Sequence, residues 1–504
     1  MAGAVVVSTI DSSTSAYIGS GAKVNQDNDG ANAEQDVNVS AVNTVSGFAV
    51  SGSLAGGAVG LSGGLGFHTI QNDVSAYLGD QAQVKAARDV ELTALSNKEA
   101  EGYAVSAAGG AVGLAGGVTV LTIGEMPDDE TVQDLAAQGG NEEYTNPSEY
   151  ANEQTRYDFM GEALSDTYGM DAIKSETSRA ASAVSVAPAA APAGTSAFIG
   201  KSAVVEAGRD IRINARERID ADITSGSAAV GLASLGGGVG IANVRSQVRA
   251  YIDDDIPGHT SSINAAGNVD ISASLDEKTL NQAFAGGLSA FVSVSGAVSY
   301  IDNDYLVDAH IGRNVAINRA DTVSVSARSS TDDKARSLEG TISGLLPLGV
   351  SYAEVDSDGS TSAYADDGVR IGTSDEGAVN SLDISASATG KADTDSKHLA
   401  GGIIAGGYNE ADSSVNPTVT AAIGLDARIA LEQDLIVTSQ ADVNSTAYTW
   451  GDNFGAVAVG AGVVEASAKP VVKAYIEGGE ESAVSAGDTI SVRAFGNHDL
   501  SGVE

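Results

Sequence analysis

Thr195–Ala215, TSAFIGKSAVVEAGRDIRINA, is the clearest copy of a phrase that returns along the whole chain. Its first half reads V/T-x-A-Tyr/Phe-Ile-Gly. It recurs as TSAYIG from Thr14, VSAYLG from Val74, VRAYID from Val248, VDAHIG from Val307, TSAYAD from Thr361, VTAAIG from Val419 and VKAYIE from Val472. The second half returns about ten residues later, for example as QDVNVSA from Gln35, RDVELTA from Arg88, DTVSVSA from Asp321 and DTISVRA from Asp488. Both halves alternate with a period of two, which on a strand puts one residue set inside and the other outside. The phrase is therefore a structural unit, and the chain is a repeat array.

Setting the phrases on their alanines, Ala16, Ala76, Ala197, Ala250, Ala309, Ala363, Ala421 and Ala474, gives steps of 53 to 60 residues and a single step of 121. A fixed period overrides a domain count made from the 504-residue length. Between phrases lie Gly/Ala/Val runs such as GFAVSGSLAGGAVGLSGGLGF from Gly47 and GYAVSAAGGAVGLAGGVTVLTIG from Gly102, with shorter versions from Gly340 and Leu399. The second run is long enough to raise a membrane helix. Its composition argues for strands instead: glycine is frequent, and Val112, Leu114, Val118 and Val120 alternate with Ala111, Gly113, Ala115, Gly117 and Thr119. One face is bulky and the other nearly bare, the pattern of a sheet packed closely on another backbone.

Short strands with tight turns and no long helical pattern predict an all-β fold: a repetitive β-solenoid, read as a right-handed parallel β-helix, with an array of β-sandwich repeats as the alternative. The anomalous step predicts three parts: solenoid repeats over 1–125, a helical and Pro/Ala-rich insertion over 126–194, and solenoid repeats over 195–504. The insertion gathers Tyr144, Tyr150, Tyr157, Phe159 and Tyr168, aromatic candidates for partner contacts. AGAVVVSTIDSSTSAYIG at the start and VRAFGNHDLSGVE at the end read as units cut from a longer array.

With 67 Asp plus Glu against 27 Lys plus Arg, the formal charge is −40, which repels phosphate backbones and argues against nucleic acid as a partner. Cysteine is absent, so disulfides, thiolate metal sites and cysteine nucleophiles are excluded. The five histidines lie far apart and never form H-x-x-x-H. GLSGG from Gly60 matches a hydrolase elbow in letters only, because it sits in a strand run without the following helix. Asn25, Asp27, Asp29 and Asp36, with Gly30 between, resemble a calcium loop, and Ca²⁺ is the cofactor the sequence points to. The plain alternative is a solvated Asn/Asp/Gly turn.

The V-x-A-Y-I-G and D-V-x-V-x-A phrases, separated by Gly/Ala/Val runs, resemble the repeats of very large bacterial haemagglutinin-like surface exoproteins and adhesins. The resemblance covers nearly all of the chain outside Met126 to Gly194. It implies an extracellular or cell-surface rod without catalytic residues. Such a rod attaches to a host or neighbouring-cell surface, a glycan or an extracellular protein, or spaces a binding region from the cell. Lateral self-association fits the same picture, and no membrane insertion of this segment is expected. A passive scaffold and, more remotely, a β-helix carbohydrate-active enzyme are the alternatives.

Overall fold

The computed structural model describes residues 1–124, 194–256, 261–373 and 377–497. The fold is all-β, with no helix among the described residues. The predicted helical insertion and its aromatic residues Tyr144, Tyr150, Tyr157, Phe159 and Tyr168 lie outside them.

Every strand pairs in parallel with its equivalent one repeat away, and three rows result. A first long row contains Val37–Gly56, Val90–Gly109, the first half of Ile211–Ile252, the first half of Val269–Ile311, most of Ala316–Ser343, Val379–Gly401, Leu435–Phe454 and Ile490–Gly496. After a tight turn the chain comes back through a second long row, which includes Ala2–Ile18, Val59–Leu78, Leu346–Ala365 and Ile404–Ile423. A short row, with members such as Gln83–Ala86, Val204–Ala207, Ser262–Ala265 and Arg428–Leu431, then leads to the next repeat. The register is the one the phrases predict: Ala16 pairs with Ala76, then Ala197, Ala250, Ala309, Ala363, Ala421 and Ala474 in turn. In the third and fourth repeats both long strands are one continuous element, bent at Gly231 by a register shift in the third.

The alternation predicted for the phrases is the burial pattern. Val90, Leu92 and Ala94, then Ile211, Ile213 and Ala215, face inward and are fully buried together with Val84, Val205 and Ile263 of the short row. Each such Val, Leu or Ile contributes about 1.5–3 kcal/mol by leaving water. Outside, the Tyr position of the phrase makes a column in which Tyr17, Tyr77, Phe198, Tyr251, His310 and Tyr364 stack nearly parallel with centroids 4.7–5.0 Å apart. His310 is therefore a packing member of the stack, and its Nδ1 lies 2.9 Å from Asp308 Oδ2.

Beyond this core the two long rows run on together as arms that carry the Gly/Ala/Val runs. Here the inner faces are almost bare because the opposite backbone is in contact. A Cβ on Gly117 would lie 2.4 Å from Gly226 O, and one on Gly238 would lie 2.2 Å from Phe284 O. The glycines are a steric requirement of the close approach. We expect Gly238→Val to lower stability by about 1–3 kcal/mol, as forced overpacking does; thermal unfolding of the variant measures it.

The strands are about 20 residues, or ~65 Å, long, whereas eight strands at ~4.8 Å spacing extend only ~35–40 Å along the row. The eight repeats thus form a plate that is wider than it is tall. The second long row is interrupted between Ile123 and Thr195. Gly124 N donates to Ile70 O and Val74 N to Gly194 O, so the chain leaves and rejoins the same row four residues apart on the neighbouring strand.

Candidate functional site

The sequence singles out Asn25, Asp27, Asp29 and Asp36, and the structure gives each a different duty. Asn25 sits at φ 53°, a left-handed position that Asn tolerates, and donates through Nδ2 to Lys85 O at 3.0 Å. Asp27 Oδ1 accepts from Asp29 N at 3.1 Å, an ordinary Asx turn. Asp36 is held by Arg88, whose Nε donates to Oδ1 at 2.7 Å and whose Nη2 donates to Oδ2. The guanidinium and the amide of Asp89 bring the Asp36 carboxyl down to about 2. Among the described residues no three His, Asp or Glu side chains are grouped to hold a metal ion. The four residues are therefore not assembled as a ligand set, and Asp36 would have to leave Arg88 before it could bind calcium.

What recurs at the turns is an aspartate tied to the next repeat. Asp36 Oδ1 accepts from Asp89 N, Asp89 Oδ1 from Asp210 N, Asp210 Oδ1 from Asn268 N, and Asp434 Oδ1 from Thr489 N. At the opposite turn Asp80, Asp254, Asp367 and Asp426 do the same for the amides of Lys201, Arg313, Leu425 and Glu481. These eight aspartates thus serve inter-repeat hydrogen bonding. Asp89 is buried, and Arg209 lowers its pKa by hydrogen bonding. Asp89→Ala is expected to cost about 1–3 kcal/mol by leaving Asp210 N without its acceptor and Arg209 with Asp210 alone. Because its pKa is depressed in the fold, this contribution is present above the ordinary carboxylate pKa and is lost as pH falls. Denaturant unfolding of variant and parent at pH 7 and pH 3 tests both statements.

The sequence reading missed a file of ionisable groups inside the plate, between the apolar core and the arms. Lys98 Nζ donates to Glu217 Oε1 at 2.8 Å, and both side chains are almost wholly buried. Glu217 also accepts from Thr195 Oγ1 at 2.6 Å and Ser246 Oγ at 2.9 Å, across from the second long row. Lys98 borders a cavity of about 20 Å³ that is also lined by Asn72, Asp73 and Arg245, room for about one water.

Farther along, Asn303 Nδ2 bridges Glu277 Oε2 at 3.1 Å and Asp333 Oδ2 at 2.9 Å. Burial raises both carboxyls, Asp333 to about 6 and Glu277 well above the usual range, with the Asp333 charge adding to the latter. Last come Glu339 and His398, whose Nδ1 lies 2.5 Å from Glu339 Oε2 and whose Nε2 lies 3.0 Å from Asn453 Oδ1. Burial opposes the charge on His398, but Glu339 and Asn453 outweigh it and raise its pKa. These groups face the interior and meet one another, not solvent. The parity of the repeat is the signal that finds them: in VELTALSNKEA from Val90, Lys98 falls on the same alternate positions as Val90, Leu92 and Ala94.

Ser62 of the GLSGG stretch also faces inward, sharing a 2.6 Å hydrogen bond with Ser53. Comparison with protein-family models, curated proteins and solved structures finds no match for this chain.

Proposed function

We propose that this chain is a non-catalytic structural and adhesive segment of a large secreted or surface-attached bacterial protein, built as a right-handed parallel β-helix. The observation that carries this reading is the one-repeat parallel register maintained through all three rows. Antiparallel sheets, the basis of a β-sandwich array, do not produce it, and parallel strands joined by crossovers are right-handed almost without exception. Each repeat buries its phrase only against its neighbours, so the stack is extendable and the turns remain free to vary, which suits a spacer that presents surfaces. The segment is a plate at eight repeats and becomes a rod only through continuation.

Arrays lengthened by whole repeats test the architecture. Solution scattering should show the axial dimension growing by ~4.8 Å per added repeat while the ~65 Å width stays fixed. Growth by tens of ångströms per repeat would instead establish a string of sandwich domains. Adhesion is read separately, by whether particles coated with the chain attach to cells or immobilised glycans.

A further inference from the structure

Buried acids stand at three levels between the long rows, and at two of them the fold supplies the counter-charge: Lys98 for Glu217 and His398 for Glu339. At the middle level, Glu277 and Asp333, no Lys, Arg or His among the described residues makes an ion pair with either carboxyl. Lys278 and Lys334, the lysines next to them in sequence, point outward by the strand parity, and Lys334 pairs with Asp332 there. The same level has oxygens left over. Thr331 is the register partner of Glu277 and Ser357 that of Asn303, so the fourth and fifth repeats bring these side chains together with Asp333. Asp333 Oδ1, Asn303 Oδ1, Thr331 Oγ1 and Ser357 Oγ make no hydrogen bond of ordinary geometry, although all four residues are at most 3 % exposed. Ser357 nonetheless stands close enough to Asp333 to lower its pKa. By register Ile219 and Val244 flank this level on the preceding repeat and Ala392 and Val415 on the following one, and all four are buried.

We propose that Glu277, Asp333, Asn303, Thr331 and Ser357 hold a calcium ion between the fourth and fifth repeats. Buried polar oxygens without donors call for an ion or a water to complete them. A water would satisfy the hydroxyls and the amide but leave two buried carboxylates uncompensated, whereas a divalent cation neutralises both. The donor set selects the metal. Ca²⁺ takes six to eight hard oxygens from carboxylates, amide carbonyls and other neutral groups in flexible geometry, and these five side chains supply that number between them. Mg²⁺ keeps several of its waters, for which a level flanked by Ile219, Val244, Ala392 and Val415 is unsuited. Two carboxylates fall short of a three-acid cluster, and the neutral oxygens make up the set. Without the ion the pair falls back on a proton, since burial and, for Glu277, the neighbouring Asp333 charge raise both carboxyls. The site is separate from the turn that holds Asn25, Asp27, Asp29 and Asp36. It is also independent of whether the chain adheres to anything.

The full chain is folded in millimolar calcium chloride, dialysed exhaustively against EDTA, and its bound metals are counted by plasma mass spectrometry before and after unfolding in urea. Because the site is enclosed, a single calcium should survive the chelator in the folded chain and be released on unfolding, whereas an ion on the exposed turn would be stripped at once. Chain folded in calcium should also melt at a higher temperature than chain folded in EDTA, as any ligand of the native state ensures. Asp333→Asn keeps the shape of the side chain and should lose the retained calcium and the shift in melting; Asp27→Asn should keep both. If Asp333→Asn does not fold, the pair Thr331→Val with Ser357→Ala leaves the carboxyls in place and should lower the retained calcium at least tenfold. Retention lost in Asp27→Asn but kept in Asp333→Asn overturns the proposal in favour of the turn. A folded parent chain that retains no calcium overturns it in favour of a proton or water at this level, and one that retains sodium or magnesium instead overturns the choice of calcium.

Discussion

Lys98→Met is expected to destabilise the protein by about 3–5 kcal/mol, the usual consequence of removing one partner of a buried ion pair. Lys98 and Glu217 face each other between the two long rows, and Glu217 has no water-exposed route for its charge. Its two hydroxyl donors, Thr195 and Ser246, would remain, but neither neutralises the carboxylate. The double variant Lys98→Met with Glu217→Leu should recover most of the loss, since apolar side chains of similar volume replace such pairs at little cost. Thermal and denaturant unfolding of the parent, the two single variants and the double variant would measure the coupling directly. A single variant as stable as the parent would show that the pair is solvated in solution.

The same pair shows what was legible in the sequence. The repeat phrase, its period and its parity are enough to place Ala16 opposite Ala76 and every later alanine in register, because a one-residue slip would turn the whole apolar set outward. The bare inner face of AVGLAGGVTV was readable too, since only a close backbone demands alternate small residues. Lys98, Glu217 and Glu277 sit on inward positions by that same parity, yet charge biases any reading toward solvent, and nothing local to Lys98 announces a partner 119 residues away. The calcium reading meets a related competitor. Asp27, Asp29 and Asp36 have suitable spacing along the chain, but the fold offers Asp36 an Arg88 from the next repeat, and a guanidinium competes with a cation for the same oxygens. Partners supplied across repeats are long-range facts, invisible to a motif read within one loop.

A second large effect is expected from acidity around Glu277 and Asp333. Both carboxyls are wholly buried and bind protons more tightly in the fold than in the unfolded chain. For an acid with a raised folded pKa, stability is greatest below the unfolded value and falls as pH rises toward the folded one. The decline should therefore run from about pH 4 through the value of about 6 reached by Asp333, with the raised Glu277 acting in the same direction. The Asp333 displacement alone corresponds to on the order of 3 kcal/mol. Glu277→Gln keeps a neutral hydrogen-bonding group beside Asp333 and Asn303 at every pH, so its advantage over the parent should grow steadily between pH 4 and pH 8. The comparison matters because general repulsion at a net charge of −40 also weakens the parent at high pH, whereas only the Glu277 contribution disappears in the variant. The turn aspartates act in the opposite sense, since Asp36 and Asp89 have depressed values and lose their contribution as pH falls. Subtracting the variant's pH profile from the parent's cancels both backgrounds. Parallel profiles would mean that the Glu277–Asn303–Asp333 bridge opens to water, and a widening gap would place its proton inside the plate.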